Sequence, residues 1–385
     1  MSLFPMLVSV CMIPFYQKSR YKGCWLICEE PSEARDNGYH FFKYIRQNHP
    51  DQNVFYAISD GFDFHKVEVL GSVVKHGSVW HWLCYFLCEY NISSQKGGKP
   101  NAAVCSLFEL NGLFRTKNVF LQHGITINRV DSFLASHSKI DCFITATQPE
   151  YDFVVREFGY PRDVIRLTGF SRFDALHDIQ TIPNRILIMP TWRQWFVRNY
   201  AEKPANDTSI MDSEYVKVWR SFLQHPILQQ MRTQYGLDIM FFPHRLMQPY
   251  LHGFCDGIEG VTFASQQNFD TQELLKSAVL MITDYSSVFF DMVYMQKPVI
   301  FFQFDEQKFR QYQHKKGYFD YHNTPFASWN DTPEGVLSDL KENILNKYQV
   351  SDAYLAEHER IFKFYDTNNS KRIYDTLIQM RDEHS

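Results

Sequence analysis

Short apolar segments alternate with helical patterns along this chain, in two successive series. Segments of this length and composition are typical of strands that are covered on both faces. The first series comprises Trp25–Cys28, Val54–Ile58, Ala102–Cys105, Val119–Leu121 and Cys142–Thr145. The second series comprises Arg185–Met189, Asp238–Phe242, Gly260–Phe263, Val279–Ile282 and Pro298–Phe302. Helical patterns such as Tyr39–Gln47 and Val79–Cys88 lie between the strands, so each series predicts a parallel sheet.

Two such series predict an α/β chain with two Rossmann-like domains whose parallel sheets face a central cleft. The chain has 385 residues, of which 45% are hydrophobic and 16% aromatic, and is long enough to bury two cores. The pattern breaks near residues 175–184, which places the first domain at residues 1–180 and the second at 181–350. Residues 351–385 are predicted to form helices that pack back across the cleft.

The charge, the cysteines and the amino-terminal run limit the partners and the location. A net charge of −4 without segregation argues against a nucleic-acid partner. The eight cysteines lack the CxxC spacing of a metal site and lie mostly in apolar segments, which predicts reduced thiols in the cytosol. The run Met1–Tyr16 is apolar, contains Pro5 and Pro14, and is too short to span a bilayer. We expect it to form a strand or to touch a membrane surface.

Polar side chains follow four of the predicted strands at the point where each strand ends. They are His123, Arg193, His244 and the pair Ser286 and Ser287. Because open α/β sheets bind ligands at the carboxyl ends of their strands, these four positions predict a phosphate site. The two serines precede a helical pattern, where hydroxyls and unpaired backbone amides are expected to hold an anion. Taken singly, the serines would only cap a helix and each histidine would be a structural residue.

Longer motifs stand in a fixed order along the chain, from about Trp25 to Tyr321. They are Ala34–Phe42, Leu121–Thr126, Leu167–Asp174, Pro190–Arg193, Ile282–Asp291 and Gly317–Tyr321. Together they resemble the CDP-glycerol glycerophosphotransferases, the family of teichoic acid primases and polymerases with related capsule polymerases. The resemblance implies a GT-B-like architecture in which the first domain receives the acceptor and the second holds the CDP-alcohol. It also implies transfer of a polyol phosphate, chiefly glycerol phosphate, to a lipid-linked or growing cell-wall or capsule polymer, with release of CMP.

In-line attack on the β-phosphorus of a CDP-alcohol needs a general base and groups that neutralise the pyrophosphate. We assign His123 as the base, because an ordinary imidazole titrates near neutrality, and His244 as a catalytic contact of the pyrophosphate. The donor is expected to contact Thr191, Arg172, Arg193, Asp284, Ser286, Ser287 and Asp291. Of these, Arg193 suits a bidentate phosphate contact, and Asp291 suits the ribose hydroxyls. The acceptor or polyol side is expected to involve Asp36, Asn37 and Gly124.

Several of these residues have ordinary alternatives. Arg172 is equally expected to form an interdomain ion pair, and Asp284 to orient its loop. Asp36 or Asn37 is expected to cap the helix that follows. Asp284 and Asp291 stand seven residues apart without an Asp-x-Asp pattern. We therefore predict a metal-independent reaction without a cofactor, in which a helix dipole and cations stabilise the phosphate charge.

The donor, the acceptor and the reaction class keep alternatives. After Tyr321 the chain reads His322–Ala327, where many relatives have a Gly-containing phenylalanine motif, so CDP-glycerol and CDP-ribitol are both candidate donors. A lipid-linked acceptor would make the protein peripheral on the inner membrane face. Met1–Arg20 and Trp80–Phe86 are candidate membrane contacts, although burial in the core is their ordinary interpretation. The rival functions are a GT-B nucleotide-sugar glycosyltransferase or epimerase, and a noncatalytic nucleotide-binding assembly subunit.

Overall fold

Among the described residues, the strands form two separate sheets, and all strands within each sheet run parallel. The structure is a computed structural model that describes residues 3–16, 21, 23–113, 116–197, 208–313 and 315–383. The chain divides into a first unit and a second unit. The first unit comprises Met1–Thr126, Val130–His177 and Phe362–Ser385, and the second comprises Ile127–Arg129 and Asp178–Ile361. The predicted α/β class with parallel, Rossmann-like sheets is confirmed.

The elements of the described residues follow in chain order. The strands are β1 (Trp25–Cys28), β2 (Val54–Ile58), β3 (Val73–Lys75), β4 (Tyr90–Ser93), β5 (Lys117–Phe120), β6 (Cys142–Thr145), β7 (Ile165–Leu167), β8 (Arg185–Met189), β9 (Asp238–Phe241), β10 (Val261–Phe263), β11 (Leu280–Thr283), β12 (Val299–Phe302) and β13 (Ala327–Asn330). The α-helices are α1 (Phe4–Tyr16), α2 (Asn37–Asn48), α3 (Phe64–Glu68), α4 (Val79–Leu87), α5 (Ala102–Leu110), α6 (Gln148–Glu157), α7 (Gln194–Val197), α8 (Thr208–Met211), α9 (Glu214–Leu223), α10 (Pro226–Tyr235), α11 (Leu251–Cys255), α12 (Thr271–Ser277), α13 (Phe289–Tyr294), α14 (Glu306–Tyr312), α15 (Pro333–Leu345), α16 (Asp352–Ile361) and α17 (Asn369–Asp382). Short 3₁₀ helices cover Asp131–Phe133, Arg162–Val164, Ser171–His177 and Arg245–Tyr250.

The first sheet has the strand order β3-β2-β1-β4-β5-β6-β7. The order reverses between β1 and β4, and such a switch point is where open α/β sheets bind ligands beyond the carboxyl ends of their strands. β1, β4 and β6 are buried along their whole length, as strands covered on both faces should be. The loops after β1, β4 and β5 therefore lie where a ligand site is expected.

The second sheet has the order β10-β9-β8-β11-β12-β13, which reverses between β8 and β11. In its core, Trp219 of α9 packs edge-on against Phe241 of β9 and Phe302 of β12. The buried stripe of α9 has the spacing of an amphipathic helix and consists of Tyr215, Val216, Trp219, Phe222 and Leu223. Because β8 and β11 are paired neighbours, their carboxyl-terminal loops lie side by side.

One predicted strand is wrong. Residues Ala102–Cys105 begin α5, and the Asn101 side chain accepts a hydrogen bond from the backbone N–H of Val104 at 3.2 Å. A short apolar run does not distinguish a strand from a buried helix, and the cap at Asn101 favours the helix. The strand position in the sheet belongs instead to β4, whose polar residues interrupt the apolar pattern.

The amino-terminal run forms α1, so the strand predicted as one alternative is wrong. One side of α1 packs against the core cluster around α4, through Met6, Met12, Ile13 and Tyr16. A helix of 13 residues reaches about 20 Å, which is shorter than the hydrocarbon core of a bilayer. No helix among the described residues combines the length and apolar character that a membrane crossing requires.

The two carboxyl-terminal helices belong to different units: α16 to the second and α17 to the first. The carboxylate of Asp174 accepts hydrogen bonds from the backbone N–H groups of Asn369 and Ser370, each at 2.8 Å. Tyr90 of β4 donates its hydroxyl to the carbonyl of Leu377 at 2.9 Å. These contacts fix α17 to the first sheet.

Gly98, in the loop after β4, is the position where we expect an added side chain to destabilise the fold. A Cβ there would overlap the Ser93 hydroxyl and the backbone carbonyl of Cys28 in β1. Because the carbonyl belongs to a buried strand, Gly98→Ala should lower the free energy of unfolding by about 1–3 kcal/mol, the usual cost of overpacking. Gly97→Ala is the matched control, since a Cβ at Gly97 meets no atom within 4 Å. Equal urea unfolding midpoints for the two variants would contradict this expectation.

Candidate active site

The switch point of the first sheet is bridged by the buried carboxylate of Glu29, which follows β1. Its Oε1 accepts hydrogen bonds from the Ser94 hydroxyl after β4 at 2.9 Å and from the backbone N–H of Tyr39 at 3.0 Å. Its Oε2 accepts the Tyr56 hydroxyl at 3.0 Å. Burial raises the pKa of Glu29 to about 7, and the nearby Asp36 adds to this shift. Glu29 therefore holds the start of α2 against the end of the sheet.

Asp36 and Asn37, at the start of α2, are joined to Arg172. Asp36 caps α2 by accepting the N–H of Asn37 at 2.8 Å, and it forms an ion pair with Nη1 of Arg172 at 3.1 Å. The side-chain oxygen of Asn37 accepts the backbone N–H of Arg172 at 3.1 Å. Helix capping by Asp36 is confirmed. Arg172 and Asp36 both belong to the first unit, so this ion pair lies within that unit.

His123 is an exposed residue on the loop after β5. The backbone of this loop is held at two consecutive residues. The carbonyl of Gln122 accepts Nδ2 of Asn37 at 2.7 Å, and the carbonyl of His123 accepts Nη1 of Arg172 at 3.0 Å. Gly124, the next residue, is half-buried. The structure thus brings residues from three separate sequence motifs into one hydrogen-bonded cluster in the first unit.

Asp284 bridges the switch point of the second sheet. Its Oδ1 accepts the backbone N–H of Thr191, after β8, at 2.9 Å and that of Tyr285 at 2.6 Å. Its Oδ2 lies 2.9 Å from Nη1 of Arg193. Arg193 also pairs with Asp305, with distances of 2.7 Å from Nε and 3.0 Å from Nη2 to the carboxylate oxygens. One guanidinium therefore connects the loops after β8, β11 and β12.

Arg193 is fully buried, and this burial does not support the bidentate phosphate contact predicted for it. The side chain has 0% exposure, and the guanidinium carbon lies 4.7 Å from the centre of the Tyr215 ring. Burial alone would lower the pKa of Arg193, but Asp284 and Asp305 outweigh that effect and raise it. The guanidinium neutralises two carboxylates and has no surface left for a phosphate. Arg172 is similarly enclosed, at 7% exposure, so this geometry does not support a direct phosphate contact there either.

Ser286 and Ser287 are half-buried in the turn between β11 and α13. The unpaired amides predicted beside them are wrong for the first turn of α13, where each N–H bonds to the carbonyl three residues earlier, at 3.4, 3.1 and 3.0 Å for Phe289, Phe290 and Asp291. The hydroxyls of Ser286 and Ser287 stay candidate contacts of an anion, although the Ser286 hydroxyl also accepts the backbone N–H of Val288 at 3.4 Å. Asp291 is 2% exposed, and its burial does not support the predicted contact with ribose.

His244 follows β9 and caps the 3₁₀ helix Arg245–Tyr250. Its Nδ1 accepts the backbone N–H of Leu246 at 3.3 Å, so in the neutral ring the proton is on Nε2. The ring centroid of Trp192, in the loop after β8, lies 6.0 Å from that of His244. His244 is thus a half-buried imidazole whose remaining nitrogen is a hydrogen-bond donor.

Three buried acidic residues that organise these clusters escaped the sequence predictions. They are Glu29, Glu150 and Asp305. Glu29 and Asp305 closely follow strands, so the strand-end rule that found the other residues would have found them. Glu150 ends a Thr147-Gln-Pro-Glu capping-box pattern at the start of α6, where the Thr147 hydroxyl accepts its N–H at 3.3 Å. Burial raises the pKa of Glu150 to about 7.

The amino-acid sequence matches a known family over nearly its whole length. Residues 10–379 match the family described as CDP-Glycerol:Poly(glycerophosphate) glycerophosphotransferase. The minor teichoic acid biosynthesis protein GgaB of Bacillus subtilis (strain 168) is 30% identical over 373 residues, which cover 93% of this chain and 40% of GgaB. The chain therefore spans less than half the length of this relative.

Solved structures share the fold. The wall teichoic acid polymerase TagF matches with a TM-score of 0.67 at 17% identity, over 99% of this chain and 97% of that chain. UDP-GlcNAc 2-epimerase from Neisseria meningitidis bound to UDP-GlcNAc matches with a TM-score of 0.54 at 10% identity, over 92% of this chain and 99% of that chain. At such identities the likeness shows the fold alone, and it confirms the predicted GT-B-like class.

Glu150→Gln should change how stability depends on pH. The pKa of Glu150 rises from 4.5 to about 7 on folding, so between these values the folded chain binds more protons than the unfolded chain. The contribution of the Glu150 carboxyl to the free energy of unfolding therefore falls as pH rises towards 7, by about 3 kcal/mol for a buried group with this shift. The variant lacks this titration, so its free energy of unfolding relative to wild type should rise between pH 5 and pH 8. Urea denaturation at both pH values measures it, and a difference independent of pH would contradict the expectation.

Proposed function

We propose, because the chain belongs to the CDP-glycerol:poly(glycerophosphate) glycerophosphotransferase family, that it transfers a polyol phosphate from a CDP-alcohol to a hydroxyl of a teichoic-acid-type or capsule-type polymer. The acceptor hydroxyl attacks the β-phosphorus in line. A phosphodiester bond forms, the bond to the CMP oxygen breaks, and CMP leaves. Glycerol phosphate is the group that we expect, and ribitol phosphate is the alternative.

The observation that carries this proposal is the extent of the family match. It covers residues 10–379 and so includes every candidate residue from Asp36 to Asp291. The fold likeness would not select this reaction, since an epimerase shares the architecture. The chemistry of the residues at the strand ends supports the same reaction class.

His123 is proposed to take the proton from the acceptor hydroxyl. Two features support this role: the residue is exposed, and the loop backbone is held by Asn37 at the carbonyl of Gln122 and by Arg172 at the carbonyl of His123. A fixed backbone with an accessible imidazole lowers the cost of positioning the base. Asp36 and Asn37 then serve the acceptor side by fixing this loop, and Gly124 leaves room beside the base.

The donor side is proposed to use His244, Ser286 and Ser287 as contacts of the pyrophosphate. With its Nδ1 accepting a backbone N–H, the neutral His244 ring can donate Nε2–H to a phosphate oxygen. Thr191 and Asp284 hold the turns at the strand ends. Arg193 is proposed to act indirectly. Its positive charge neutralises Asp284 and Asp305, which would otherwise repel the phosphates.

The reaction is proposed to need no metal ion or cofactor. Among the residues that the structure describes, no group of three or more His, Cys, Asp or Glu side chains is placed to hold a metal ion. The phosphate charge would then be stabilised by hydrogen-bond donors of the site. Activity in the presence of EDTA is the test of this part of the proposal.

The test of the function is CMP release from CDP-glycerol and CDP-ribitol in parallel, with a glycerol phosphate oligomer as acceptor and EDTA present. Wild type should release CMP from one of the two donors. This release should occur only in the presence of the acceptor. His123→Ala should lower kcat by about 100-fold or more, the usual contribution of a general base. His65→Ala is the matched control, because His65 belongs to the same unit, has an 83% exposed side chain and should leave the rate unchanged.

The rival functions predict other outcomes. Turnover of a UDP-sugar with release of a nucleoside diphosphate would replace the proposal with a glycosyltransferase. Binding of a CDP-alcohol without turnover on any acceptor would favour a noncatalytic subunit. CMP release that survives His123→Ala would keep the reaction and remove His123 as the base. Loss of CMP release in EDTA that Mg²⁺ restores would contradict metal independence.

The acceptor is proposed to be lipid-linked, with α1 resting on the inner face of the membrane. One side of α1 is exposed and apolar, with Phe4 at 69%, Leu7 at 58% and Phe15 at 86% exposure, and α1 contains no charged residue. In the sequence, Lys18, Arg20 and Lys22 follow the helix, outside the described residues, and no acidic residue precedes Glu29. An apolar helix followed by basic residues suits an anionic membrane surface. Trp80 is 43% exposed and contacts Tyr16 edge-on, whereas Trp82–Phe86 is buried, so Trp80 alone of that predicted contact stays a candidate.

Co-sedimentation with vesicles tests this contact. Wild type should bind phosphatidylglycerol vesicles, and the double variant Phe4→Ser/Leu7→Ser should weaken binding by about tenfold or more because less apolar surface is buried. Ile227→Ser/Leu345→Ser, which changes two exposed apolar residues of the second unit, is the matched control and should bind like wild type. Vesicle binding that the α1 variant leaves intact would contradict the proposal. Loss of self-association in that variant, without an effect on vesicle binding, would instead assign α1 to a contact between copies.

A further inference from the structure

Gln122, the residue before His123, has an unusual backbone conformation. Its φ is +63°, in the left-handed region that non-glycine residues rarely adopt. Its side chain is 2% exposed, so the residue is enclosed as well as strained. Such a conformation persists only where the surrounding structure determines it, and it is found preferentially at functional sites.

The contacts of Gln122 account for this conformation. Its Nε2 donates to the Thr126 hydroxyl at 2.8 Å and to Oε1 of Glu150 at 3.4 Å. Its carbonyl accepts Nδ2 of Asn37 at 2.7 Å. The residue is therefore held through its side chain by α6 and through its backbone by α2.

Glu150 extends the same network to the other end of the loop. Its Oε1 accepts the backbone N–H of Thr126 at 2.7 Å, and its Oε2 accepts that of Ala146, which follows β6, at 2.7 Å. The loop from Gln122 to Thr126 is thus closed by one buried carboxylate, with His123 exposed between the two fixed ends.

We propose that Gln122 is a positioning residue, whose left-handed backbone and buried amide side chain together set the direction in which His123 presents its imidazole. This inference rests on the proposed function of His123 as the base. A change of Gln122 to extended backbone would turn the peptide bond that it shares with His123 and move the imidazole away from the attacking hydroxyl. Misplacement of a catalytic group by about 1 Å is enough to cost about 100-fold in rate.

The identity of the residue at position 122 supports the proposal. A glycine would adopt a φ of +63° without steric cost, but it would offer no amide to Thr126 and Glu150. The chain has a strained residue with the hydrogen-bonding side chain at this position. A strained backbone that is held by hydrogen bonds of its own side chain is what we expect where the direction of the loop matters for function.

Gln122→Gly separates positioning from stability. Glycine relieves the backbone strain but removes the hydrogen bonds of a buried side chain, so we expect a lower thermal midpoint and a variant that stays folded at the assay temperature. kcat for acceptor-dependent CMP release should nevertheless fall by about 10- to 100-fold, while KM for the CDP-alcohol stays within about twofold. Ser72→Gly is the matched control, because Ser72 also has a positive φ, of 60°, in the same unit and should keep the wild-type kcat.

Gln122→Asn provides a second, independent variant. Asparagine tolerates the left-handed conformation but is one methylene shorter, so its amide should not bridge Thr126 and Glu150. It should show the same fall in kcat with a folded protein, as judged by circular dichroism and the thermal midpoint.

The outcomes distinguish this inference from the function on which it rests. A wild-type kcat in both variants, while His123→Ala is inactive, would overturn the positioning role and leave the proposed base intact. A fall in kcat that disappears when the assay is run well below the thermal midpoint of each variant would also overturn it, because Gln122 would then act by packing alone. If His123→Ala retains full CMP release, the assignment of the base fails, whatever the result at position 122.

Discussion

In each unit, one buried carboxylate joins the two strands at the switch point of the sheet. Glu29 links β1 to β4 through the Ser94 hydroxyl, and Asp284 links β11 to β8 through the backbone N–H of Thr191. Parallel strands connect through long crossovers, so the loops that meet at this point come from distant parts of the chain and have no hairpin to align them. Asp36, Thr191 and Ser286 are candidate residues that stand in the segments following these strands, and the two carboxylates hold the backbone beside them.

The two units compensate the burial of these carboxylates in different ways. In the first unit, Glu29 and Glu150 receive hydrogen bonds from N–H and O–H groups, and burial raises the pKa of each to about 7. In the second unit, burial also raises the pKa of Asp284, but Arg193 opposes the shift with a charge that it cannot lose. The buried carboxyl groups of the first unit, Glu29 and Glu150, therefore titrate near neutrality. The buried Asp284 of the second unit instead keeps Arg193 as a permanent counter-ion.

The structure separates the groups that hold the loops from the groups available to a substrate. Arg193 and Asp284 are fully buried, whereas His123 is exposed and His244 is half-buried. The motifs mix both kinds of residue at adjacent positions, as at Gln122 and His123. Groups fixed before the substrate arrives need no reorganisation during the reaction, which is the physical advantage of such a frame.

The sequence by itself determined the α/β class, most of the strands and the strand ends at which His123, His244, Ser286 and Ser287 stand. These are local properties, because a strand buried on both faces must be apolar and must end where polar residues begin. The strand predicted at Ala102–Cys105 was wrong, because a run of four apolar residues suits a helix equally well.

Only the tertiary structure decided which polar residues face outward and which pair with other residues inside the fold. The sequence predicted a phosphate contact for Arg193, but its guanidinium pairs with Asp305, which is 112 residues away in sequence. Glu150 contacts Gln122 across 28 residues, and Arg172 contacts Asp36 across 136 residues. Local patterns do not record such distant pairings, because a buried charge takes its partner from whichever segment the packing of the sheet brings alongside.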